Sequence, residues 1–363
     1  MTMTRVTLMA IAAVLLGVCA PVQAHPVPFS YIDVRLRSQA VDISLVAHVF
    51  DVAHDLGIEP PERLLDPATL ASRADAIAAL LRNRLQVAAD GRPLADSTWS
   101  APEALIERQS LQLRARYILQ RPAGSVAVTA AMFPYDPKHQ TFVNFYEQDA
   151  VTSQSILDRE RTRVEYFAGT RQGVWAVIRK FVPSGVHHIL IGPDHLLFLV
   201  GLLLLGGSIR RLLLIVTAFT LAHSLTLSLA ALNLVTPSAR IIEPAIALSI
   251  VYVGADNLLV RGGRDMRGWI AFAFGFIHGF GFANVLREMD LPGRALGWTL
   301  FSFNMGVEIG QLAVVVTVAS ALAVLHSRSE VLSRRFAFAG SVFVMAAGAF
   351  WFIQRVFFLG GTA

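Results

Sequence analysis

Cysteine is nearly missing from this 363-residue chain, and the single one is Cys19. It falls inside a stretch with the parts of a secretory leader: Arg5 in a basic start, an apolar run from Leu8 to Val18, and the small-residue site Val22-Gln23-Ala24. Cleavage after Ala24 removes residues 1–24, makes His25 the mature N-terminus and leaves no cysteine at all. Val18 is a poor neighbour for a lipidated Cys19. Disulfides and thiolate metal sites are therefore excluded, and His, Asp and Glu remain as the strong ligands. Charge is scarce too. With 16% charged and 54% hydrophobic residues, the chain is too apolar for one soluble domain and too charged to lie wholly in lipid. A G-x-x-x-x-G-K-[ST] loop is also absent, so no phosphate cradle of that kind drives the protein. The net charge of +5 does not point to nucleic acid, because the arginines of the apolar half collect at the ends of its segments.

The polar residues are concentrated in one region. Residues 25–168 read as a mainly β, sandwich-like domain. Phe29 to Arg37, Val41 to Phe50, Ser110 to Leu119, Ser125 to Met132, Thr141 to Glu147 and Arg161 to Phe167 alternate apolar and polar at period two. Asp90-Gly91 marks a turn. One helix interrupts them, capped at Asp66-Pro67 and running to about Leu85 with Leu70, Ala74, Ile77 and Leu81 at helical spacing.

Residues 169–185 read as an amphipathic linker, with Trp175 and Phe181 opposite Arg179 and Lys180, lying on the outer membrane surface. Beyond it, residues 186–359 form a membrane α-helical bundle. Six transmembrane helices are placed near 186–206, 210–232, 241–260, 268–287, 295–325 and 335–358, each near the ~20 residues that cross ~30 Å of hydrocarbon. The leader puts the β domain in the periplasm and the spans in the bacterial inner membrane. The inner loops then hold Arg210, Arg211, Arg261, Arg264, Arg267, Arg328, Arg334 and Arg335, against Arg240, Arg287 and Arg294 outside. That asymmetry agrees with the positive-inside rule.

Several ionisable residues lie inside these apolar segments: His188, Asp194 and His195 in the first, His223 in the second, His278 in the fourth and Glu308 in the fifth. Each charge placed in hydrocarbon costs about 2.5–3.5 kcal/mol on insertion scales. At ~1.5 Å rise per residue, His195, His223, His278 and Glu308 converge on the bilayer middle, with His188, Glu243 and Asn304 nearer the outside. Imidazole plus carboxylate is a ligand set for a divalent transition metal. Asp194 has two readings, a bridge to a neighbouring helix or a partner that holds an imidazole in its tautomer. Gly275, Gly279 and Gly281 around His278 allow close helix approach. Each histidine taken singly also fits a structural contact. His187 reads as interfacial, Asp256-Asn257 as a bundle contact, and Glu243-Pro244 equally as a helix cap or an outer-mouth ligand. The last span has no ionisable residue before Arg355 and reads as scaffold.

His188-Ile-Leu-Ile-Gly-Pro-Asp194-His195 spells H-x5-D-H. It resembles the signature of the HupE/UreJ family of bacterial membrane proteins, in the branch with an N-terminal periplasmic domain. Phe219-Thr220-Leu221-Ala222-His223-Ser224 and Phe276-Ile277-His278-Gly279-Phe280-Gly281-Phe282-Ala283 add to the resemblance. The family is associated with hydrogenase and urease maturation and regarded as nickel permeases. It implies nickel as the ion, with cobalt next, and a periplasmic metal carrier or a maturation system as partner.

Three readings follow. In the first, the chain is a permease whose outer mouth (His188, Glu243) collects the ion and whose His195, Asp194, His223, His278 and Glu308 replace its water shell. In the second, the same groups hold zinc in an intramembrane hydrolase and activate water. In the third, the protein is a metal sensor or accessory factor, with His25 and either His48 or His54 around copper. A polar path continuing inward through Ser249, Asp256 and Asn257 favours transport over the hydrolase.

Overall fold

A computed structural model describes residues 29–95, 97–259, 265–281 and 293–358. The expected leader, Cys19, His25, Arg261, Arg264, Arg287 and Ala283 lie outside them.

The N-terminal part is a two-sheet sandwich. One sheet runs β10 (Ala150–Leu157), β9 (Gln140–Glu147), β1 (Phe29–Leu36), β2 (Ala40–His48), β7 (Ser110–Ile118), β5 (Ser97–Trp99), with β6 (Glu103–Leu105) also on β7. The other runs β11 (Arg163–Phe167), β8 (Ser125–Ala130), β3 (Leu85–Ala89), β4 (Arg92–Pro93). Neighbours are antiparallel except β1 and β9, which pair in parallel with Ile32 opposite Val143. Period-two alternation does what it should: Ile32, Val34, Val41, Ile43 and Leu45 point inward to meet Val87, Val126 and Val128 of the other sheet in one core. Helix α2 (Pro67–Asn83) closes that core with Leu70, Ile77 and Leu81. Asp66 caps it by accepting the Thr69 N–H at 2.9 Å.

Two local readings are corrected. β2 stops at His48, whose Nδ1 accepts the Phe50 N–H and starts helix α1 (Val49–Leu56), so Val49 and Phe50 are helical. β10 has no counterpart in the alternation pattern, because it is an edge strand with most of its residues exposed.

The C-terminal part is helical: α3 (Arg171–Ile191), α4 (Pro193–Leu203), α5 (Ile209–Ala231), α6 (Ala239–Leu259), α7 (Arg267–Phe280), α8 (Gly293–Arg328) and α9 (Glu330–Phe357). Four of these, α5, α6, α8 and α9, are long and apolar enough to span a membrane, and α3 with α4 makes a fifth span if the bent pair counts as one. α7, where the fourth span was expected, is described over 14 residues, about 21 Å of helix. The stretch expected as a separate surface linker, 169–185, runs without interruption into the first span region as the body of α3. Val177 and Phe181 of α3 pack with Phe303 and Val307 of α8, so this face is spent on another helix. Leu214, Leu221, Phe336, Phe343 and Phe350 point outward, as lipid-facing side chains do.

Candidate metal centre

The site begins with a broken helix. α3 ends at Ile191, α4 begins at Pro193, and their axes differ by 69°. Pro193 has no N–H to continue the ladder and disfavours helical backbone at the residue before it, and Gly192 is extended, with ψ 104°. His188 therefore sits in the last turn of one half-helix and His195 in the first turn of the next. Seven residues along an unbroken helix would part them by about 10 Å; here their rings stand 4.5 Å apart. Gly192 makes the approach possible, since a Cβ there would lie 2.7 Å from the His188 carbonyl oxygen and 3.1 Å from His195 Nδ1.

His223 comes from α5, its ring 6.4 Å from His188 and 6.2 Å from His195. One ligand nitrogen each from His188, His195 and His223 all lie within 4.8 Å of one another. The Asn304 amide nitrogen donates to the Leu300 carbonyl at 2.8 Å, which turns its Oδ1 toward His223 Nδ1 at 3.4 Å. Nδ1 thus carries the proton and Nε2 the lone pair. His278 on α7 is oriented in the same manner. Ser249 donates its proton to the Ile246 carbonyl at 2.6 Å, so at 2.9 Å its oxygen accepts from His278 Nε2–H and leaves Nδ1 with the lone pair. His278 stands 5.1 Å from His195, ring to ring. His195 Nε2, His223 Nε2 and His278 Nδ1 are buried without a hydrogen-bond partner among the described residues. Phe198, Phe219 and Phe303 pack against the four imidazoles.

The carboxylates take other places. Asp194 Oδ2 is ion-paired to Arg355 Nη2 at 2.8 Å, the bridge to a neighbouring helix that its position allowed. Glu243 enters through its backbone carbonyl, which accepts from Arg355 Nη1 at 3.2 Å. Glu308 accepts from Thr217 at 2.6 Å, and Thr220 donates to the Gln311 amide oxygen at 2.8 Å. His188 joins the cluster rather than standing apart at a mouth, and His187 is exposed. Ser249, placed on an inward path from the sequence, holds His278 instead, and Asn257 ties α6 to the Gly201 carbonyl. Arg355 corrects the reading of the last span as scaffold. Thr217 and Gln311 were missed; their signal was polar residues at helical spacing from Thr220 and Glu308.

A sequence profile described as HupE / UreJ protein matches residues 165–355, more than half of the chain. The chain belongs to the HupE/UreJ family. No curated protein matched it. Family membership and the apolar helices make it a multi-pass membrane protein tied to transition-metal handling. The HupE/UreJ match takes in all four clustered histidines and Arg355, and it reaches the β domain only at the end of β11. Imidazole nitrogens converging from three helices fit a borderline-soft divalent cation.

Proposed function

We propose that this protein is an inner-membrane permease for a divalent transition metal, nickel foremost and cobalt next, with its β domain in the periplasm. The observation that supports this most directly is the convergence of His188, His195 and His223 ligand atoms within 4.8 Å at the break of a membrane helix. Broken helices are where transporters place ion sites, because the free half-helix ends and the side chains around them face a cavity instead of lipid. Nitrogen ligands without thiolate bind such an ion firmly enough to strip water and loosely enough to release it. His278 offers a fourth lone pair beside His195. Beyond the cluster, Thr217 with Glu308 and Thr220 with Gln311 put two polar pairs between α5 and α8. An inside-negative potential favours inward movement by about 2.3 kcal/mol per charge per 100 mV. The family association makes hydrogenase or urease maturation the destination of the metal.

Three histidines with an open position are also the ligand set of hydrolytic zinc. One experiment separates the two. The purified protein is assayed for bound metal by mass spectrometry and, in proteoliposomes, for Ni²⁺, Co²⁺ and Zn²⁺ flux, beside His195→Ala. Flux of nickel or cobalt that is lost in His195→Ala is the expected result. Zinc held at one per chain with no flux of any ion would overturn the permease.

A further inference from the structure

Asp194 sits next to His195, yet its carboxylate is turned to a cation of the protein's own. Arg355, in the last turns of α9, donates from Nη2 to Asp194 Oδ2 at 2.8 Å and from Nη1 to the Glu243 carbonyl at 3.2 Å. The guanidinium also lies 6.0 Å from the centre of the Trp351 ring. Both partners of the pair are about four-fifths buried. The second carboxylate oxygen, Oδ1, is buried with no hydrogen-bond partner among the described residues. Arg355 thus reaches Asp194 across 161 positions of chain, while the Glu243 carbonyl on α6 holds the guanidinium in place.

A carboxylate at this depth needs a positive partner, because isolated charge in a dry medium is expensive. In the structure the guanidinium is that partner. An ion arriving at His188, His195 and His223 brings two charges to the residue next to that carboxylate in the chain. We propose that Arg355 is a built-in competitor for the transported cation. It holds Asp194 while the histidine cluster is empty, yields it when a divalent metal binds, and takes it back as the metal leaves. The affinity of the site is thereby kept low enough for turnover, which three or four imidazoles plus a free carboxylate would not allow. This inference rests on the metal reading of the histidine cluster.

The test is a Co²⁺ titration of the full-length protein in detergent, followed by the visible absorption of the bound ion. Wild type is compared with Arg355→Gln, Asp194→Asn and the double variant. Arg355→Gln is expected to tighten Co²⁺ binding at least tenfold, about 1.4 kcal/mol, and to slow metal release from proteoliposomes. In the Asp194→Asn background the same substitution is expected to leave affinity unchanged, since the competitor acts through that carboxylate. Unchanged or weaker binding by a folded Arg355→Gln protein overturns the proposal, and so does equal tightening in both backgrounds. Removing both charges together leaves no lone buried ion, so the double variant keeps its fold even if Arg355→Gln alone does not. Asp194→Asn and the double variant must then bind Co²⁺ equally, and a difference between them overturns the proposal. If wild type gives no Co²⁺ signal, the metal reading itself falls and takes the competitor with it, an outcome distinct from a wild-type signal that Arg355→Gln does not alter.

Discussion

Gly279→Ala tests whether the position of α7 against α5 sets the metal centre. A Cβ at Gly279 would lie 2.1 Å from Thr226 Oγ1 and 2.4 Å from the His223 carbonyl oxygen. The threonine can rotate, but the carbonyl belongs to the α5 backbone. Ordinary contact begins at 3.4 Å, so the two helices must part by about 1 Å at this level. Overpacking of this kind costs about 1–3 kcal/mol. The displaced residue is the neighbour of His278, whose ring stands 5.1 Å from His195 and is fixed by Ser249 at 2.9 Å. Losing such support lowers metal affinity by about 10–100-fold. The assay is a Co²⁺ titration together with thermal unfolding in detergent. Gly268→Ala on the same helix is the internal control. A Cβ there meets nothing within 4 Å, so the alanine is expected to be neutral or to stabilise by up to about 1 kcal/mol. The reasoning is refuted if Gly279→Ala keeps wild-type affinity and stability, or if the two alanines behave alike.

Asn304→Ala removes the acceptor that fixes the His223 tautomer and is expected to weaken Co²⁺ binding by about 10–100-fold with little change in melting temperature; the titration that serves Gly279→Ala checks it, and an unchanged affinity counts against the assigned lone pair. Outside the membrane, Asp51 is fully buried in the β domain, accepts from Tyr135 at 2.5 Å, and has its carboxyl pushed up to about 6 by desolvation. His139, 3.7 Å away, is itself pushed down by burial and does not supply a positive charge above its usual range. A carboxyl raised in the fold holds its proton more tightly than the unfolded chain does, so its stabilising contribution is full below about pH 4 and is lost as pH rises through about 6. The loss is on the order of 3 kcal/mol, two pH units at about 1.36 each. Asp51→Asn, which keeps the acceptor for Tyr135, is expected to match wild type near pH 4 and exceed its stability near pH 8. Chemical unfolding at both pH values measures this, and a gap that does not widen with pH refutes it.

The local patterns were legible in the chain. Period-two alternation in β1, β2, β7, β8 and β9 is a property of neighbouring residues, and so is the apolar length of α5, α6, α8 and α9. The four histidines stand out for the same reason, being polar groups in apolar runs, and Pro193 after Gly192 advertises a break. What the chain alone does not contain is the angle of that break and the partner each side chain meets across it. An unbroken helix puts His188 and His195 two turns apart, and only the 69° bend turns that spacing into a 4.5 Å pair. Depth along a helix placed Asp194 and Glu308 at the level of the histidines, but depth carries no azimuth. Asp194 faces α9 and meets Arg355, while Glu308 faces Thr217. Composition and local patterning determined that this chain has a β domain, apolar spans and imidazoles within apolar runs. Helix packing decided which imidazoles share a point in space and which cation answers the carboxylate, because those contacts cross between helices, from 28 positions apart for His195 and His223 to 161 for Asp194 and Arg355, and no local periodicity encodes them.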